Sequence, residues 1–421
     1  MEFKSIRADI TPDVAVSIIG IEPGAKSRGV YSQLEINVTM WRGGDVMLFI
    51  IGIDTLFITE PLIKSTGEII KKTFGDVHDD QIILIATHTH FAPSIETHRQ
   101  ELGGDNPEYE AHLIQKIKDV IVALNDKSFA EIELHWLSGA SNHLTSNRRR
   151  KTRNIKHLFC RFIAMQPNPE GHKREVMDVM SITDRQTKKQ LGYIWSFPCH
   201  PTNLYDRSLI SSEFPGRVRE AMRIDDGNTE LAVIYFPGLA GDVRAAPIVS
   251  PNAMIRFCNQ LSWSLPKSYY RFQIEKDYNT WCSSVVKQLR MVLRDSPVTI
   301  ETNKIKLNRN VYPVKELLGI QSKSISNLTF RYVSFGNDLS MVFISAEPVS
   351  EYYDLLLPII QSKRCFITGY SDEVYGYLPT TKQVEEGGYE STGHFSRFGI
   401  VGRFKPEQEN TIINCVKRLI Q

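Results

Sequence analysis

Apolar residues in this chain do not alternate with polar ones; they arrive in short solid blocks. DVMLFIIGIDT (from Asp45), QIILIATHTH (ending at His90), LGYIWSFPCHPTNL (from Leu191), ELAVIYFPGLAGDV (ending at Val243), DLSMVFISAEPVS (from Asp338) and RCFITGYSDEVYGYLPT (ending at Thr380) each carry an unbroken Val/Ile/Leu/Phe-rich run. A strand with one wet face would alternate, so such runs predict strands covered on both faces. The blocks come in pairs, and a stretch with helical spacing joins each pair: Glu60 to Lys72, then FPGRVREAMR, where Pro215 can open a helix, then EYYDLLLPII. Three strand–helix–strand copies predict an α/β architecture of mixed β-sheets flanked by helices.

Charged stretches at Ser146 to Lys156, Asn168 to Glu175 and Asn303 to Lys315 read as loops. No Pro/Gly/Ser-rich linker interrupts the chain, which favours one elaborated domain over 1–421. Within each copy, chemistry follows the strands. Strand 82–86 leads into His88 and His90, strand 193–198 into His200, strand 341–345 into Glu347, and strand 366–369 into Tyr370 and then Tyr377. Open α/β sheets place ligands outside the carboxyl ends of their strands, so these groups are expected to converge.

Composition narrows the partner. The 421 residues are 42% apolar and 23% charged, enough to bury a core, which excludes wholesale disorder and fibrous repeats. Lys plus Arg number 50 against 48 Asp plus Glu, a net +2 that advertises neither nucleic acid nor anionic membrane and points to a small molecule. Six cysteines without a CxxC pair read as reduced and buried. The start, MEFKSIRADITP, lacks a secretory apolar stretch, and the longest apolar run, Val46 to Ile58, is broken by Asp54, so no integral membrane segment and a cytoplasmic location are expected.

In ATHTHFAP, alternation along an extended chain would turn His88 and His90 to one face, and an HxH pair leaving a buried strand suits Zn²⁺. A second strand-end histidine, His200, and a buried acid, Glu347, extend the set; the alternative is ordinary hydrogen bonding in a loop. Gly238 and Gly241 in FPGLAGDV let backbone amides approach a bound group, or simply make a tight turn. The basic run SNRRRKTR reads as a solvated loop from which one arginine reaches inward.

Taken in order, RADITP, SRGVYSQL, ATHTHFAP, SNRRR, FPCHPTNL with SSEFPG, GLAGDV, SAEP, and GYLPT with YES resemble the catalytic domain of the neutral/alkaline ceramidase family, from about Ile6 to Arg403. The resemblance implies a zinc-dependent hydrolase cleaving an amide of a small or lipid-like substrate. It implies His88, His200, Glu347 and Tyr377 as metal ligands, and His90, Arg148 and Tyr389 as residues acting on substrate or oxyanion. It also implies a catalytic part without the family's immunoglobulin-like domain. One departure stands out: Arg244 follows GDV where the family has a serine, which suggests that Arg244 binds an anionic group of the substrate. Phe91 is the aromatic expected beside it in the pocket. Two alternatives stay open, the same metal chemistry on an ester, lactone or cyclic amide, and a non-catalytic ligand-binding relative. A metallo-β-lactamase fold would need HxHxDH, but Phe91 and Ala92 follow His90. An amidohydrolase barrel would need eight strand–helix units, more than the pattern supplies.

Overall fold

The computed structural model describes residues 1–19, 26–95, 99, 102–103, 106–152, 162–246, 272, 274–302 and 304–421. All three strand–helix–strand copies are present. Val46–Ile53 runs parallel to Ile82–Ala86, Gln190–Ser196 parallel to Ala232–Phe236, and Leu339–Ile344 parallel to Arg364–Thr368. Parallel neighbours need a long crossover. Helices Glu60–Phe74, Glu213–Asp226 and the short Tyr352–Leu356 lie within those crossovers. Pro61 sits in the first turn of Glu60–Phe74, and Gly75, at φ +84°, follows its end.

The first two copies belong to one large sheet, ordered Ala232–Phe236, Gln190–Ser196, Val176–Asp184, Ala130–Ala140, Glu2–Asp9, Glu35–Gly43, Val46–Ile53, Ile82–Ala86. Its halves meet through only two residue pairs, Glu2 with Glu131 and Phe3 with Ala130, and the sheet folds over there. Gly52 on one half then lies against Ile234 on the other, where a Cβ would come within 3.0 Å of the Ile234 side chain. The third copy is in a four-stranded sheet with Ile305–Pro313 and Asn327–Phe335. Phe3, Trp41, Ile50, Ile194, Ile234, Met341 and Phe366 share the apolar core that these layers enclose. Helices cover the outer faces: Glu60–Phe74 and Pro107–Asn125 on one half, Glu213–Asp226 and Glu275–Val292 on the other, Gln408–Ile420 on the third layer. The strands of the three copies are therefore covered on both faces, which is why their sequences are solid blocks.

Two of the expected loops are strands. The run from Ser146 lies in Thr145–Thr152, whose first five residues are buried because Val243–Ala245 and Phe162–Asn168 flank it and its arginines find carboxylate partners. Residues 153–156 of that stretch lie outside the described residues. Most of Asn303 to Lys315 is the strand Ile305–Pro313, an edge strand paired only with Asn327–Phe335, so its polar residues face outward; Asn303 lies outside the described residues. Cys199, Cys282, Cys365 and Cys415 are buried and free, whereas Cys160 and Cys258 lie outside the described residues. No helix among the described residues is long and apolar enough to cross a membrane.

Candidate metal centre and active site

The carboxyl ends of all three copies meet. After Ile82–Ala86 the chain turns, and His88 adopts φ +64°. The convergence of His88 and His90 thus comes from a kink at a left-handed residue rather than from the pleat of an extended strand, and it brings their ring centroids to 4.9 Å. His200 is fixed by the turn that follows its copy's second strand: its N–H donates to the Val243 carbonyl at 3.0 Å, and its Nδ1 faces the Ala240 carbonyl at 2.9 Å. Glu347 and Tyr377 are register partners in a two-stranded parallel pair, Glu347–Pro348 with Tyr377–Leu378. Gly241 permits the remaining approach, because a Cβ there would lie 2.7 Å from the Glu347 carbonyl oxygen. Gly238, at φ +68°, packs on the Tyr353 hydroxyl. Both glycines therefore act in turns and close backbone packing.

The Nε2 atoms of His88 and His200 are 3.0 Å apart, and Glu347 Oε2 lies 3.2 Å from the first and 3.5 Å from the second. Each imidazole turns its Nδ1 to a backbone carbonyl, Leu56 for His88 at 2.9 Å and Ala240 for His200. A carbonyl only accepts, so both Nδ1 atoms carry hydrogen, and the neutral form of each ring presents a lone pair at Nε2. Burial, then the charges of Arg148 and the neighbouring histidines, hold the His200 pKa well below its ordinary value. Glu347 Oε2 has no hydrogen-bond partner among the described residues. Two lone pairs and a carboxylate oxygen thus face one another with 1% exposure at each residue, an arrangement that a cation stabilises. Ring nitrogens of His88, His90 and His200 also fall within 4.8 Å of one another, so His90 is the rival third donor.

Around this cluster lie the other expected residues. The Tyr377 ring is parallel to that of His200 at 6.5 Å, and Tyr389 sits 5.4 Å from Tyr377. Burial and the Glu347 charge push the Tyr377 hydroxyl well above its ordinary pKa, so it stays protonated in the metal-free protein. Arg148 stands over both tyrosine rings, 5.3 and 5.6 Å from their centroids, and its Nε donates to Glu390 at 2.7 Å. Arg149 donates to the other Glu390 oxygen at 2.8 Å. Against burial, the two guanidinium groups keep the Glu390 carboxyl below the usual range. The Arg148 guanidinium also lies in hydrogen-bonding reach of the Tyr377 hydroxyl, and its Nη2 is buried. His90, Tyr389 and Arg244 are half-buried, whereas His88, His200 and Glu347 are buried. Arg244 Nε donates to Thr202 Oγ1 at 2.9 Å, two residues beyond His200. Phe91, expected as a pocket aromatic, instead has no exposed surface and packs in the apolar cluster containing Leu137, Phe197 and Phe214, so it is a core residue and offers no face to a substrate.

Sequence reasoning missed three residues. Glu390 follows Tyr389 and neutralises two buried arginines; a basic run destined for burial demands such an acid. Asp242 accepts from Asn147 at 2.9 Å and from the Ser350 N–H at 2.8 Å, tying the basic strand to the Glu347 segment. Glu213 accepts from the Asn203 N–H at 2.7 Å, and Asn203 Nδ2 donates to the His200 carbonyl at 2.8 Å.

No protein-family profile matches the sequence, and no curated protein sequence matches it either. Solved structures do match in shape. Neutral ceramidase from Pseudomonas aeruginosa superposes with a TM-score of 0.77 at 14% identity, over 100% of this chain and 74% of that one. A ceramidase complexed with C2 gives 0.74 at 13% identity, with the same coverage. The chain has the neutral ceramidase fold along its whole length, as the ordered motifs anticipate.

Proposed function

We propose that this protein is a zinc-dependent hydrolase that cleaves an amide bond in a small-molecule or lipid-like substrate. The observation that carries the reading is the meeting of two histidine Nε2 atoms and a carboxylate oxygen without a hydrogen-bond partner among the described residues, at the ends of three strand–helix–strand copies. A nitrogen–nitrogen–oxygen set held by oriented imidazoles suits Zn²⁺, and His88, His200 and Glu347 with Tyr377 would hold it. Bound there, zinc supplies a Lewis acid and water of lowered pKa. Because these residues span positions 88 to 377, the chain works as one catalytic unit over 1–421. The fold neighbours are ceramidases, which supports the amide class of substrate.

The chain's own groups supply the rest. His90, half-buried beside His88, moves the proton that the leaving amine needs. Arg148, fixed by Glu390 through Nε, presents Nη2 to the oxygen that gains negative charge, and the Tyr389 hydroxyl donates from the open side. Arg244, steadied by Thr202, holds an anionic group of the substrate. The test is an assay of the zinc-loaded protein against ceramides, N-acyl amino acids and peptide-like amides, with esters and lactones alongside. Hydrolysis of at least one amide series is expected; a folded, zinc-loaded protein that cleaves only esters or lactones, or nothing, overturns the reading. If Arg244→Ala leaves the KM of the best substrate unchanged, its assigned contact is wrong.

A further inference from the structure

Tyr370 has no part in the reading above, yet its ring lies closer to His88 than any other described ring does, 4.3 Å between centroids, and 6.2 Å from His200. Its backbone is left-handed at φ +65°, an uncommon state for a bulky aromatic residue. The conformation is pinned from several sides. The Tyr370 N–H donates to the Ala346 carbonyl, and its own carbonyl accepts from Ala86 N–H, both at 3.0 Å. Two residues on, Asp372 is left-handed as well and is gripped by Arg331 through bonds of 2.7 and 2.9 Å.

What the pinning secures is a hydroxyl with nothing to do in the metal-free protein. Tyr370 is fully buried, and its hydroxyl has no hydrogen-bond partner among the described residues. The charged groups of Glu347 and Arg148 lie close enough to act on it, and Tyr377 lies near as well, so it belongs with the ligand atoms. A phenylalanine would fill the same space without burying an unsatisfied donor, so packing alone does not explain the hydroxyl. We infer that Tyr370 is a positioning residue of the metal centre, its hydroxyl being a hydrogen-bond donor kept for the ligand set that forms when a divalent ion occupies His88, His200 and Glu347. Groups placed in this way beside ligands set their orientation and basicity.

This inference rests on the metal reading, and one experiment separates the two. Zinc affinity of the full chain and of Tyr370→Phe is measured by competition with a chromogenic chelator, together with the visible spectrum of the cobalt forms and the thermal midpoint of the metal-free proteins. The expected result is zinc binding weakened roughly ten- to a hundredfold in Tyr370→Phe, an altered cobalt spectrum, and a metal-free midpoint equal to or above that of the wild type. Equal affinity and equal spectra overturn the role of Tyr370 and leave the metal reading standing, whatever the midpoint does. A wild type that binds no zinc overturns both.

Discussion

The Nε2 atoms of His88 and His200 face each other across 3.0 Å, while each ring turns its Nδ1 to a backbone carbonyl at 2.9 Å. The Leu56 and Ala240 carbonyls choose the tautomer, and they come from different strand–helix–strand copies. Two copies thus set the donor atoms and a third adds Glu347. Because the candidate ligands come from three separate crossovers, displacing any of them means disturbing a chain segment anchored to a covered strand.

Glu390 carries the charge balance of the site's arginines. Its two oxygens take Arg148 and Arg149, with both guanidinium groups and the carboxylate almost wholly buried. Removing one member of a buried ionic set leaves uncompensated charge. Glu390→Ala is expected to lose roughly 3–5 kcal/mol of stability in urea unfolding. A loss below about 1 kcal/mol would show that water reaches these groups and that Arg148 is not held as described.

His90 and Glu347 compete for the place of third donor, and kinetics with metal analysis separates them. His90→Ala is expected to keep its zinc while kcat falls by about 10²–10⁴. Tyr389→Phe, also with zinc retained, is expected to lose on the order of a hundredfold. Zinc loss in His90→Ala would make His90 the ligand and remove it from proton transfer.

Glu213 gives the fold a distinct pH signature. Burial raises its carboxyl pKa from 4.5 to about 7, against the backbone N–H groups of Phe214 and Asn203, which lower it. The folded protein therefore keeps a proton that the unfolded chain gives up between those values. The stability from this group is present in full below pH 4.5 and is lost as pH rises through about 7. Urea unfolding across that window should show Glu213→Gln gaining on the wild type by roughly 3 kcal/mol from the acid to the alkaline end. A difference independent of pH would contradict the buried, protonated carboxyl.

The fold was legible because doubly covered strands leave solid apolar blocks, and the strand 82–86 emerges with the bounds its sequence predicts. Candidate ligands were legible for the same reason, since His88, His200 and Glu347 each follow such a block. The basic strand was not legible. SNRRR looks solvated until Glu390, 242 residues from Arg148 in sequence, is known to lie beside it. Tyr370 shows the same limit, because an orphaned hydroxyl is a property of surroundings and leaves no trace in a single sequence. The kink at His88 hid as well: a pleated strand and a left-handed turn both bring residues 88 and 90 together.

Metal stoichiometry tests the central claim most directly. Wild type, His88→Ala and His200→Ala are to be purified, loaded with zinc, freed of excess and analysed for metal, with circular dichroism as a check on folding. The account predicts one equivalent in the wild type and none in either folded variant. Folded wild type without tightly held zinc, or full occupancy in both variants, would contradict it.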